Sequence, residues 1–157
     1  MKNTMKERYG VENVILNHNI FIKARQKYYY DGRYFDSSWE LAYYIWLKDN
    51  NADFEYQPAI KFKYTYNDET HYYCPDFKIG DKLQEIKGNL FFENGNINEK
   101  MICPFNRQLD GLFEAKHQCM IANNVRILTE NDIKSYITYV KLTYGINFLK
   151  NCKVQKT

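Results

Sequence analysis

The sequence predicts an α/β fold in which a mixed β-sheet is flanked by helices. Three observations predict it. Apolar residues recur at helical spacing after Ser37, short β-type segments bounded by turn residues fill 54–87, and a short apolar strand follows a second helical stretch. A strand that is reached through a helix joins its sheet by a crossover, so the sheet is expected to be mixed. The 157 residues suffice for one domain with a hydrophobic core.

The first elements are predicted from turn and capping residues. Asp31-Gly32, between two tyrosine-rich segments, predicts a hairpin over residues 28–34. A helix is expected to begin near Ser37 and to end at Asn50-Asn51. Strands are predicted over 54–57 and 60–66, on either side of Pro58.

The second half is predicted in the same way. Asn67-Asp68-Glu69 is expected to turn the chain into a strand over 72–79, which Gly80-Asp81 joins to a strand over 83–87 in a tight hairpin. The first three strands are expected to pair as a meander. Residues 89–103 predict a polar loop, and Pro104 is expected to open a helix that ends at Asn123-Asn124. A short strand over 125–128 leads to a C-terminal helix, capped by Thr129 or Asn131 and ended by Gly145.

Positive charge is concentrated at the N-terminus. Residues 1–30 carry six basic and two acidic residues, a net +4, whereas the rest of the chain sums to −1. A basic arm over residues 1–30, ahead of a folded domain over 31–157, suits contacts with DNA phosphates. A solvated N-terminal helix has the same composition. The expected DNA-contacting residues are Lys6, Arg8, Lys23, Arg25 and Lys27.

Aromatic and cysteine content adds two expectations. The 15 tyrosines and 10 phenylalanines either stack on nucleic-acid bases or pack in half-buried sheets, and composition leaves both open. The four cysteines show no paired spacing, and no apolar run is long enough to span a membrane. We therefore expect reduced thiols in a cytoplasmic protein that does not bind membranes. Cys103, His117 and Cys119 contain zinc-ligand types, but their spacing is wrong for a zinc knuckle.

Two carboxylates and a lysine on neighbouring strands carry the main chemical hypothesis. Asp76 follows Pro75 in one arm of the predicted hairpin, and Glu85 and Lys87 lie in the other, where a period of two puts both on one face. Mg²⁺ or Mn²⁺ binds through one or two carboxylates and keeps several waters. Such an ion clamps a phosphoryl oxygen and acidifies a bound water, and a lysine adds positive charge beside the phosphate. The pattern therefore favours metal-dependent phosphodiester cleavage.

The order helix, three strands, helix, strand, with Pro75-Asp76 on the second strand and Glu85-Ile86-Lys87 on the third, resembles the PD-(D/E)XK nuclease superfamily over roughly residues 36–128. The resemblance implies a restriction-endonuclease-like αβββαβ core, here followed by a C-terminal helix. It also implies that Asp76, Glu85 and the backbone carbonyl of Ile86 bind the metal. Lys87 would orient water or stabilise the transition state.

Two further residues match positions that the superfamily often uses. Glu40 matches a glutamate on the first helix that joins the metal site, although Ser37-Ser38-Trp39-Glu40 is also a capping box. Lys116 matches a lysine or glutamine on the helix after Glu-x-Lys that faces the scissile phosphate, with Gln108 and Gln118 as alternatives. Lys116 is equally compatible with a lysine whose stem covers the edge of the apolar stripe.

The segment from Lys6 to Asn13 resembles a DNA-contacting element of phage-associated and homing-type endonucleases, and 34–88 is similar to small phage-borne nucleases. The expected function is a Mg²⁺- or Mn²⁺-dependent DNA endonuclease in the cytoplasm of a bacterial host, of homing or nicking type. A Holliday-junction or branched-DNA resolvase is one alternative, and it would act as a homodimer. A second alternative is an inactive nucleic-acid- or protein-binding module on the same fold. A structural or inhibitory phage protein is a third.

Overall fold

The structure is a computed structural model and describes residues 27–155. These residues divide into two compact units. The sheet unit is Phe54–Glu130, and the helical unit combines residues 27–53 with 131–155. In chain order, the strands and α-helices are β1 (Tyr28–Tyr30), β2 (Arg33–Phe35), α1 (Ser38–Asp49), β3 (Phe54–Tyr56), β4 (Phe62–Tyr66), β5 (Glu69–Tyr73), β6 (Phe77–Ile79), β7 (Lys82–Ile86), α2 (Asp110–Ala122), β8 (Arg126–Leu128), α3 (Glu130–Tyr144) and α4 (Phe148–Asn151).

In the helical unit, the β1–β2 hairpin and α1 lie where the sequence predicts them. Asp31 and Gly32 both have positive φ angles, of 56° and 72°, as a two-residue type I′ turn requires. Ser37 caps α1, because its Oγ accepts a hydrogen bond from the backbone N–H of Glu40 at 3.2 Å. The rings of Tyr43 and Trp46 each pack 4.8 Å from Tyr136 of α3. These contacts hold α1 against α3.

The sheet unit contains the mixed sheet that the sequence predicts. Its four strands follow the order β3-β6-β7-β8. The first three pair antiparallel as a meander, and β8 pairs parallel to β7 after the chain passes through α2. Gly80, with φ of 61°, lies in the turn between β6 and β7. The α/β class, the hairpin and the crossover are therefore confirmed.

One strand prediction was wrong, because residues 72–79 do not form a continuous strand. β4 and β5 form a separate two-stranded sheet that ends at Tyr73, and β6 begins at Phe77. Pro75, in the break, has no N–H to donate to a ladder. Asp76 follows it, and its N–H donates to the carbonyl of Gln84 at 3.1 Å. The β4–β5 hairpin is thus an insertion between the first two strands of the meander, and Asp76 immediately precedes β6.

The second helix also begins later than predicted, at Asp110 rather than near Pro104. Asn106 Oδ1 accepts from the N–H of Gln108 at 3.1 Å, and Asp110 Oδ1 accepts from the N–H of Cys103 at 2.9 Å. These two side chains stabilise a turn and a short 3-10 helix ahead of α2. The helix ends at Ala122 as expected, with Asn124 at φ 58°.

The core of the sheet unit lies around α2, which packs against β4 and β5. One cluster of buried side chains in this core consists of Tyr73, Phe92, Met101, Cys119 and Met120. Within residues 27–155, no helix has the length and apolar character that crossing a bilayer would require.

Candidate active site

Asp76 and Glu85 lie beside each other at one end of the β6–β7 hairpin. The regular pairing of the two strands ends at Phe77 and Gln84, and the two carboxylates are the next residues outward. Both residues are almost completely buried, with 7% of Asp76 and 5% of Glu85 exposed. Acidic residues are rarely buried without partners, so this pair has a specific environment.

Each carboxylate has a defined hydrogen-bond donor. The backbone N–H of Ile86 donates to Asp76 Oδ2 at 2.9 Å, and the hydroxyl of Tyr73 donates to Glu85 Oε1 at 2.8 Å. Burial raises the pKa of Tyr73 far above its usual value, and the charges of Glu85 and Asp76 raise it further. The charges of both carboxylates therefore disfavour ionisation of the same hydroxyl. Like charges on neighbouring buried carboxylates repel each other, and a bound cation relieves that repulsion.

Tyr73 is a site residue that the sequence analysis missed. It ends β5, in a different sheet from Glu85, and only 1% of it is exposed. With 15 tyrosines in the chain, composition did not distinguish this one. The sequence did contain one indication, because Tyr73 lies only three residues before Asp76. A break at Pro75 brings the end of β5 close to the start of β6, and so brings Tyr73 close to the carboxylates.

The two predicted lysines lie on the α2 side of the carboxylates. Lys116 Nζ is 5.6 Å from the centre of the Tyr73 ring. Lys87 Nζ lies 4.6 Å from the ring centre of Phe91 and 5.9 Å from that of Phe113, which precedes Lys116 by three residues on α2. Both lysines are half-buried. The structure thus brings Asp76, Glu85 and Lys116 around Tyr73, and it places Lys87 on a neighbouring pair of rings.

The remaining polar candidates, on α2 and in the 3-10 helix ahead of it, are engaged elsewhere or face solvent. Arg107 Nε donates to Asp110 Oδ2 at 2.6 Å, and Arg107 lies in the 3-10 helix ahead of α2. Gln118 is exposed and donates to Glu114 at 3.4 Å, and Gln108 is exposed as well. Of the predicted alternatives, Lys116 is the one that contacts a residue of the carboxylate cluster.

The roles of Glu40 and of the backbone carbonyl of Ile86 as metal ligands stay predictions. Glu40 belongs to the helical unit, where it is buried and accepts a 3.3 Å hydrogen bond from the Oγ of Ser37. That contact accounts for its place in the first turn of α1.

Of the predicted DNA-binding residues, Lys27 has an exposed side chain, and its backbone N–H donates to the carbonyl of Phe35. Lys6, Arg8, Lys23 and Arg25 lie outside the described residues.

The donor set fits magnesium better than zinc. Within the described part of the chain, no group of three or more His, Cys, Asp or Glu side chains is arranged to hold a metal. Cys103, His117 and Cys119 therefore do not form a metal site there. Two carboxylates suffice for Mg²⁺, which keeps several waters and takes further oxygens from a substrate phosphate. A structural zinc site requires about four protein ligands, mostly sulfur and nitrogen.

Comparison with protein-family models, with curated proteins and with solved structures found no match for this chain. The resemblance to the PD-(D/E)XK superfamily therefore stays a prediction from the sequence motif. Any function assigned to the site depends on the geometry of its residues.

Proposed function

We propose that this protein is a metal-dependent phosphodiester hydrolase that cleaves DNA. The observation that carries the proposal is the pair of buried carboxylates, Asp76 and Glu85, which act on one tyrosine hydroxyl with Lys116 beside the same ring. Buried like charges are costly, and they occur preferentially at binding and catalytic sites.

The order of the elements supports the same reading. With the β4–β5 hairpin set aside as an insertion, the chain runs α1, β3, β6, β7, α2, β8. This is the αβββαβ order expected for a restriction-endonuclease-like core. Asp76 precedes the second strand of that series, and Glu85 lies on the third. The resemblance to the superfamily implies metal ligands on these two strands.

Asp76 and Glu85 would hold the ion, and their neighbours fix their orientation. The N–H of Ile86 fixes one oxygen of Asp76, and the hydroxyl of Tyr73 fixes one oxygen of Glu85, so each carboxylate is held in a defined orientation for a metal. When bound, Mg²⁺ supplies a polarised phosphoryl oxygen and an acidified water. The protein contributes a preorganised pair of ligands, so little reorganisation is needed at the moment of reaction.

Lys116 and Lys87 supply the positive charge that the transition state needs. Lys116 sits over the ring of Tyr73, whose hydroxyl binds Glu85. Lys87 is held against Phe91 and Phe113, which restrains its side chain without neutralising it. An ammonium group that is already positioned stabilises the developing negative charge on a phosphate without a further entropic cost.

The site would act in the cytoplasm of a bacterial host, as the sequence resemblance to phage-borne nucleases implies. The basic N-terminal segment would contribute sequence-independent contacts to DNA phosphates.

Cleavage of supercoiled plasmid in Mg²⁺ or Mn²⁺ tests the proposal. Glu85→Gln keeps the acceptor for Tyr73 and removes the charge, and Glu93→Gln makes the same change at an exposed position of the sheet unit. We expect metal-dependent nicking or linearisation by the wild type and by Glu93→Gln, and none by Glu85→Gln or with EDTA. Equal cleavage by all three proteins would contradict the assignment. Folded protein that binds plasmid, mismatched or branched DNA and cuts none of them would identify a binding module.

A further inference from the structure

Three phenylalanines form a continuous run from the lysine at the end of β7 to the protein surface. Phe113 on α2 stacks on Phe91, with ring centres 6.4 Å apart and planes 8° apart. Phe91 in turn meets the edge of Phe105 at 5.9 Å and 78°. We call these three residues the aromatic run. Its outer member, Phe105, is 79% exposed, so the run ends with an aromatic ring in solvent.

The inner end of the aromatic run lies against Lys87. The ammonium of Lys87 is 4.6 Å from the centre of Phe91 and 5.9 Å from that of Phe113. Lys87 follows Glu85 by two residues, and Glu85 is a proposed metal ligand. Lys87 and the exposed ring of Phe105 therefore both contact Phe91, beside the candidate active site.

The backbone around Phe105 is fixed by hydrogen bonds on both sides. The N–H of Cys103 donates to Asp110 Oδ1 at 2.9 Å, and the N–H of Asn106 donates to the carbonyl of Cys103 at 3.3 Å. Pro104 further restricts the turn. A single exposed apolar side chain is ordinary. An exposed ring that packs against a second ring, is held in a hydrogen-bonded turn and is separated from a cation by that one ring is preorganised for binding.

We propose that the aromatic run binds an unpaired base of the substrate while Lys87 contacts a phosphate of the same strand. The inference rests on the proposed function and names its substrate class: DNA with unpaired bases, in single-stranded, mismatched or branched form. A paired base inside a duplex has both faces covered by its neighbours, so Phe105 stacks most readily on a base that has left the helix. Stacking accepts any base, because every base has a π-face.

The chemistry of the surface favours a nucleic acid over a protein partner. An apolar protein segment would bury the Phe105 ring, but it would gain nothing from the neighbouring ammonium of Lys87. A nucleotide satisfies both groups, because its base is flat and aromatic and its phosphate is anionic.

Binding measured without cleavage tests the proposal. The parent protein is the full chain carrying Glu85→Gln, with no divalent metal added. Two probes are compared: a duplex with one unpaired 2-aminopurine, and the same duplex with that base paired. We expect the unpaired probe to bind more tightly and its fluorescence to be quenched. Adding Phe105→Leu is expected to weaken binding of the unpaired probe roughly 5- to 100-fold and to leave the paired probe unchanged.

Two further variants keep the result specific. Phe105→Trp retains an aromatic face, and we expect it to bind the unpaired probe within about two-fold of the parent. Ile121→Ala removes another exposed apolar side chain from the sheet unit and is expected to change neither affinity. Equal binding of both probes by the parent, or undiminished binding by Phe105→Leu, would overturn the proposal. Wild-type protein that binds the unpaired probe through Phe105 but never cuts DNA would contradict the proposed function alone.

Discussion

Replacing Tyr73 by phenylalanine removes one hydroxyl and leaves the ring in place. The ring is 1% exposed, and the hydroxyl donates a 2.8 Å hydrogen bond to Glu85 Oε1. The variant therefore keeps the packing of the core and the cation–π contact with Lys116, whose Nζ is 5.6 Å from the ring centre. What it loses is the group that orients one proposed metal ligand.

The expected size of the effect follows from that one bond. A hydrogen bond to a charged group contributes about 1.5–3 kcal/mol, and about 1.4 kcal/mol is a factor of ten in affinity. Groups that orient metal ligands typically change metal affinity or activity about 10- to 100-fold when they are removed. We therefore expect Tyr73→Phe to raise the Mg²⁺ concentration for half-maximal cleavage by about that factor. The free energy of unfolding should fall by about 1–3 kcal/mol, because Glu85 stays buried without its donor.

The assay is cleavage rate against Mg²⁺ concentration, with Mn²⁺ binding by calorimetry as a second readout that does not depend on cleavage. Tyr64→Phe is the matched control. Tyr64 is a half-buried tyrosine of β4 in the same core, and its ring stacks on His71 with centres 5.4 Å apart. The control should leave the metal dependence unchanged. If Tyr73→Phe has the same Mg²⁺ dependence as the wild type, Tyr73 does not position Glu85 and the reasoning is refuted.

Three other variants test separate parts of the account. Asp76→Ala should lower the rate of plasmid cleavage by several orders of magnitude while circular dichroism stays that of the wild type; wild-type rates would remove Asp76 from the mechanism. Lys116→Met removes the charge and keeps an unbranched apolar stem. We therefore expect roughly 100-fold slower single-turnover cleavage, with a free energy of unfolding within about 1 kcal/mol of the wild type. An unchanged rate would make Lys116 a packing residue. In the helical unit, a hydrogen bond to Asp49 raises the pKa of Tyr144 to about 12 from its usual value of 10. The folded state favours the neutral phenol, so this contribution to stability is fully present below pH 10 and is lost as the pH rises through 12. In Asp49→Ala, the ring resonances of Tyr144 followed by NMR should show its pKa nearer 10, and an unchanged pKa would contradict the role of Asp49.

Local sequence signals predicted the parts of the fold that local chemistry decides. Asp31-Gly32 and Gly80-Asp81 supply residues that tolerate positive φ, and hairpins formed at both places. Ser37 supplies a capping oxygen, and α1 begins directly after it. The neighbouring placement of Asp76 and Glu85 followed from the second hairpin. These features depend on a few adjacent residues, so a single sequence is sufficient to predict them.

The features that the sequence did not predict depend on contacts between distant residues. Asp110 holds the N–H of Cys103, seven residues earlier, and so delays the start of α2 beyond Pro104. The break at Pro75 sends β5 and β6 into different sheets, although the alternation of apolar residues continues across it. Tyr73 reaches Glu85 only because of that break. Periodicity along the chain carries no information about which side chains meet after such a change of direction.

The central claim is that Asp76 and Glu85 together hold one divalent cation, and calorimetric titration with Mn²⁺ tests it most directly. The wild type, Asp76→Asn and Glu85→Gln are titrated in parallel, since both variants keep the shape of the side chain and remove its charge. We predict one saturable site in the wild type and at least about tenfold weaker binding in each variant. No saturable binding by the folded wild type, or the same affinity in all three proteins, would contradict the account.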